Sequence, residues 1–175
     1  VSEAIELDFV PSELQKSYQS SITRKEFCTL IIHSMRAIID SDPDLEGRMD
    51  GSPGASPFTD VDDENVTWAY YLGIVSGVGN SQFNPNGYFS RQEAAKILAN
   101  MAKEVFDQEI SGGTTAFYDA GQMADWAAPA IGFLYKHGIM SGVGDNQFAP
   151  LNSYTREQSI ITLLRTYKAL VDLLE

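Results

Sequence analysis

Apolar residues recur at helical spacing in three stretches: Phe27, Leu30, Ile31, Met35 and Ile38; Ala94, Ile97, Leu98, Met101 and Val105; Ile160, Leu163, Leu164, Tyr167 and Leu170. Steps of three and four residues place each set on one face, so each stretch predicts an amphipathic helix with a stripe to bury. All three stripes begin behind the same polar signal. Thr23-x-x-Glu26, Ser90-x-x-Glu93 and Thr155-x-x-Gln158 are capping boxes, in which the hydroxyl takes the amide three residues on and the Glu or Gln returns to the first amide.

The signal belongs to a longer repeat. A shift of 65 residues lays Gly73-Ile74-Val75-Ser76-Gly77 on Gly138-Ile139-Met140-Ser141-Gly142, Phe83 on Phe148, Pro85 on Pro150 and Arg91 on Arg156. Upstream, Val66, Trp68 and Ala69 fall on Ile131, Phe133 and Leu134, which predicts a short helix before each loop. A weaker copy lies at the start, where Phe9-Val10-Pro11 is similar to Phe83-Asn84-Pro85 and the following loop reads as seven residues longer. Acidic, Gly- and Pro-containing stretches read as surface linkers. The organisation expected is unit 1 over 1–40, a linker over 41–57, unit 2 over 58–107, a linker over 108–116 and unit 3 over 117–173. Three helix-loop-helix repeats bury their stripes most simply against one another, which predicts a mainly α fold: a single-chain pseudo-trimer around a central helical bundle.

Composition narrows the partners. With 175 residues and 43% hydrophobic content the chain can bury a core. A formal net charge of −12 argues against nucleic acid, whose binding is led by Lys and Arg on phosphates. No apolar run approaches the roughly 18 residues of a membrane span. A start at Val1 without Met reads as a processed or excised chain, so an export signal is not expected within it. One cysteine, Cys28, excludes an internal disulfide and reads as a small buried hydrophobe.

Candidate chemistry concentrates at the boxes. Arg24, Arg91 and Arg156 occupy the first helical position, where the dipole disfavours a cation. Each guanidinium either pairs with a carboxylate or with carbonyls of its own loop, or offers its planar fork to an anion held between units. Trp126, Tyr88, Tyr154 and Phe89 are candidate groove-lining aromatics, with core packing the alternative for each and Trp126 favoured because Trp is seldom fully buried. Asp62 and Asp63 read as helix caps, and with Asp60 they make a weak case for acid–base catalysis. His33 and His137 fall at non-equivalent repeat positions, so no metal site or cofactor is expected. The acidic run Asp40 to Glu46 could hold calcium but matches no EF-hand spacing.

Together, Phe58-Thr-Asp60 and Phe117-Tyr-Asp119, Trp126-Ala127 read on the first helix of its unit, Gly-Ile-x-x-Gly, Phe-x-Pro and Thr/Ser-Arg-x-Glu/Gln resemble S-layer homology (SLH) domains, three in tandem from about Ala4 to Leu170. The resemblance implies a non-catalytic module of a larger exported bacterial protein, located at the cell surface. It implies binding of an anionic secondary cell-wall polysaccharide, often pyruvylated, in grooves between units, and it maps the family's arginine to Arg24, Arg91 and Arg156. A second loop cation is common in the family; Lys16 is the one available here. The alternative is a structural or self-assembly module whose grooves hold protein or nothing.

Overall fold

The computed structural model describes residues 1–41, 47, 49–111 and 116–174. Among them are six α-helices: α1 Ser2–Glu6, α2 Arg24–Ser41, α3 Glu64–Tyr71, α4 Arg91–Phe106, α5 Ala128–Lys136 and α6 Arg156–Leu174. The fold is mainly α, with only isolated bridges between loops. Short and long helices alternate. The three long ones begin at the capping boxes: the Thr23 amide donates to Glu26 at 3.0 Å, Ser90 to Glu93 at 2.8 Å and Thr155 to Gln158 at 3.2 Å, and in each box the hydroxyl accepts the return bond. Asp63 caps α3 by accepting the Val66 amide at 3.1 Å. Of the acidic run Asp40 to Glu46 and the two linkers, residues 42–46, 48 and 112–115 lie outside the described residues, and the calcium question lies there with them.

Packing centres on the long helices. Helix α3 lies on α2, α5 on α4 and α1 on α6, while α6 packs against both α2 and α4. The stripes therefore meet at the centre, where all their residues are buried except Tyr167, which packs against the core half-buried. Ile22, Phe89 and Tyr154, each two residues before its arginine, are all buried, and Phe27 meets Phe89 and Tyr154 edge-on at 5.6 and 5.9 Å. The positions equivalent to Phe27 are Ala94 and Ser159, so one large ring fills space that three could not share. Tyr154 spends its hydroxyl on Thr162 and the Gln158 carbonyl, as a buried phenol must.

The start of each long helix is tied to the loop of another segment. Arg24 and Lys25 amides donate to Gly87 and Pro85 carbonyls at 2.8 and 3.0 Å, Arg91 and Gln92 to Asn152 and Pro150 at 2.9 and 3.0 Å, and Arg156 and Glu157 to Ser20 and Tyr18, both at 2.9 Å. These are first-turn amides with no partner inside their own helix. The bonds run from the first segment to the second, the second to the third, and the third back to the first.

The same register corrects the alignment of the first copy. Asp8, Gly73 and Gly138 share positive φ of 57°, 74° and 68°, and the next amide in each case returns to the helix, to Ala4, Ala69 and Leu134. Phe9 thus corresponds to Ile74 and Ile139, not to Phe83, and Tyr18 accepts where Pro85 and Pro150 do. The first loop is two residues shorter than the others, Phe9 to Arg24 against Ile74 to Arg91, rather than seven longer. Matching Phe-x-Pro by residue type misplaced it because that loop keeps the hydrogen bonds without the motif.

Candidate functional site: grooves between the segments

The repeated loop is held by a carboxylate. Asp60 accepts the Phe83 and Asn84 amides, both at 2.8 Å, and Asp119 accepts those of Phe148 and Ala149 at 2.8 and 2.7 Å. The Phe83 amide, helped by Asn84 and by the charge of Arg24, holds the Asp60 carboxyl below its ordinary range. Asn84 and Ala149 take positive φ of 59° and 55°, a strained shape for alanine that the carboxylate bonds maintain. Glycine is required at Gly77 and Gly142, where a Cβ would stand 2.7 Å from the Gln82 and Gln147 carbonyl oxygens. Turn geometry accounts for these glycines.

Each arginine crosses to the segment that its helix start is tied to. Arg24 donates from Nε to the Phe83 carbonyl at 2.8 Å and from Nη2 to Ser76 at 2.9 Å; Arg91 repeats this on Phe148 and Ser141 at the same distances. The Arg24 guanidinium lies 4.6 Å from the Phe83 and Phe89 ring centroids, and that of Arg91 4.9 Å from Phe148. Both side chains are buried, and burial lowers their pKa from the ordinary value. Both keep their charge, since a guanidinium stays protonated across the ordinary pH range. The third copy differs: Arg156 donates to the Lys16 carbonyl at 2.5 Å and pairs with Glu26 at 2.7 Å, and its Nε is buried without a partner among the described residues. The carbonyls thus belong to a neighbouring segment's loop and not to the arginine's own, a contact between residues 50 to 140 positions apart that local sequence could not reveal.

Two open grooves lie beside these staples. One, of about 260 Å³, is bordered by Arg24, the stretch Ile74 to Val78, Glu93, Lys96 and Asn100 of α4, and Trp126. The other, of about 290 Å³, is bordered by Arg91, Met140 to Val143, and Gln158, Ile161, Thr162 and Arg165 of α6. Nη1 of Arg24 and of Arg91 makes no hydrogen bond among the described residues.

Among the residues singled out from sequence, Trp126 borders the first groove with half its surface exposed. It sits in the turn before α5 rather than on that helix, and Gln92, next to Arg91, steadies the turn by accepting the Ala124 amide at 2.9 Å. Tyr154 and Phe89 are buried in the core, although an edge of Phe89 reaches the first groove, and Tyr88 is exposed. Lys16 is exposed and meets Arg156 through its carbonyl. Sequence reasoning missed Lys96 and Arg165, the cations that line the grooves from the helices; neither makes an ion pair among the described residues. Their signal lies five and nine residues after the box arginine, on the long helices and not in the loops where a second cation is expected. Among the described residues no three His, Cys, Asp or Glu side chains are grouped to hold a metal, and no helix is long and apolar enough to cross a membrane.

Comparison with known proteins gives the same geometry a family. The chain is 28% identical over 150 residues to the amylopullulanase of Thermoanaerobacterium thermosulfurigenes, a match covering 85% of this chain and 8% of that protein. It is 30% identical over 121 residues to a cell surface protein of Thermoanaerobacter kivui, covering 66% and 16%, and 32% identical over 97 residues to the surface-layer 125 kDa protein of Lysinibacillus sphaericus, covering 54% and 8%. The chain therefore spans less than a fifth of the length of each of these relatives, and the amylopullulanase match implies no catalytic activity in it. The S-layer homology domain model matches residues 57–95 and 116–158, the two segments that carry Asp60 and Asp119, the paired grooves' loops and the Ser90 and Thr155 boxes. In those segments the chain belongs to the S-layer homology domain family.

Proposed function

We propose that this chain is the cell-surface anchoring module of a larger exported bacterial protein, that residues 1–40 act as its first unit beside the two matched ones, and that it holds an anionic wall polysaccharide in the two open grooves. One observation carries the reading: each groove joins a fixed guanidinium, through its remaining Nη1, to a second cation on the adjoining long helix, Lys96 or Arg165. A planar donor beside a mobile cation suits a carboxylate or phosphate on a sugar, and Trp126 offers a face to the sugar's CH groups in one groove. The relatives named for the cell surface and the surface layer agree with an anchoring role.

The box arginines favour a second reading as well, because stapling the segments accounts for them without a ligand. Replacing them would therefore confuse lost binding with lost folding. The informative variants are Lys96→Ala, Arg165→Ala and Trp126→Ala, which remove exposed or half-exposed side chains. Co-sedimentation with Gram-positive wall sacculi, intact and chemically stripped of secondary polymer, tests the reading. Binding to intact walls alone, weakened by these variants while the melting temperature holds, is the expected outcome. Equal sedimentation with both wall preparations, or with neither, supports the structural module instead.

A further inference from the structure

Resting on the anion-binding reading above, we propose that the three junctions are graded in affinity: the groove between Arg91 and Arg165 is the principal anion site, the Arg24 groove is weaker, and the Arg156 junction is closed. The grading comes from one register position, the fourth residue of the capping box, which is Glu26, Glu93 or Gln158. All three residues perform the same capping bond, so helix formation does not distinguish them. Their charge toward the crossing arginine does. Glu26 pairs with Arg156 at 2.7 Å and takes up its Nη2, while Nη1 is held by the Lys16 carbonyl, so this guanidinium has its charge matched and its terminal nitrogens occupied. Glu93 lies in the same groove as Arg24 without bridging it and acts on it electrostatically. Gln158 brings no charge to Arg91, and its amide nitrogen makes no bond among the described residues, leaving a further donor at that groove.

The helix cations follow the same order. Arg165 borders the Arg91 groove, Asn100 replaces it in register with Lys96 a turn earlier in the Arg24 groove, and the third equivalent is His33, which faces Asp8 at 3.5 Å. Asp60 and Asp119 act alike on Arg24 and Arg91 and cancel from the comparison. One additional charge about 7 Å from a bound anion, in a medium between bulk water and a protein surface, alters affinity by about three- to tenfold.

Site-resolved amide NMR of the whole chain, titrated with inorganic phosphate at pH 7.5, reads the order directly. Gly142 and Val143 are expected to respond with a midpoint three- to tenfold lower than Gly77, Val78 and the Trp126 indole, with Ser20 and the Arg156 amide unmoved at that concentration. Gln158→Glu, which keeps the capping acceptor, should bring the first two midpoints together, and Glu93→Gln should do so from the other side. Equal midpoints in the unaltered chain, a reversed order, or no effect of Gln158→Glu would overturn the grading. Failure of the walls to bind with the phosphate order intact counts against the anchoring reading alone, and wall binding without the order counts against the grading alone.

Discussion

Replacing Arg91 with alanine should loosen the whole molecule. The side chain is 5% exposed and makes two charge-assisted bonds, to Phe148 at 2.8 Å and Ser141 at 2.9 Å, with the Phe148 ring beneath it. Hydrogen bonds to a charged group contribute about 1.5–3 kcal/mol each, and the ring contact adds about 0.5–2 kcal/mol. Against that gross loss of about 4–8 kcal/mol stands the relief of no longer burying a charge, which returns roughly half. The expected net loss is about 3 kcal/mol, or about 6–12 °C in melting temperature for a chain of this size. Lysine at the same place keeps the charge but not the two-pronged geometry, and should recover less than half of it. Arg165→Ala, at an exposed site without an ion pair among the described residues, should stay within about 0.5 kcal/mol. Calorimetry on the three variants decides the matter: an Arg91→Ala protein that melts with the unaltered chain would refute the staple account.

Asp60 has its folded-state pKa depressed, so it contributes stability above its unfolded value near about 3.9 that is lost as pH falls from there through the folded value. Urea midpoints between pH 6 and pH 2 should accordingly fall less steeply in Asp60→Asn than in the parent. Gly142→Ala places a Cβ 2.7 Å from the Gln147 carbonyl oxygen and 3.1 Å from the Phe117 ring, and should lower the melting temperature by several degrees, about 1–3 kcal/mol of overpacking. Burial pushes the Cys28 thiol up to about 12, so a disulfide reagent at pH 8 should label the native chain at the rate of global opening and the urea-unfolded chain at once.

Local chemistry was readable in the sequence, and chemistry between segments was not. Thr23, Ser90 and Thr155 cap their helices with the partners three residues on, because capping is decided within one turn. The stripes behind them face the core for the same reason. Asp60 and Asp119 read only as members of a Phe-x-Asp motif, with a weak acid–base case for Asp60, whereas each carboxylate holds a loop 23 to 30 residues away. Phe9 was aligned by residue type when the returning amide sets the register. Arg24, Arg91 and Trp126 border the grooves together with Lys96 and Arg165, which the sequence hides because a cation on an amphipathic helix resembles any solvated face until its neighbours are known.

The return of the third segment to the first also has a cost in chain entropy. The bonds from Arg156 to Lys16 and Glu26 join residues 140 and 130 positions apart, and closing a loop of that length costs about 4 kcal/mol of chain entropy before any contact is gained. The junctions at Arg24 and Arg91 span 50 to 59 positions and can form while α6 is still being synthesised. Closing the ring at Arg156 therefore carries the largest chain-entropy cost of the three junctions, by about 1 kcal/mol over the other two, and α6, which also walls the Arg91 groove, is the helix on which both the closure and that groove depend.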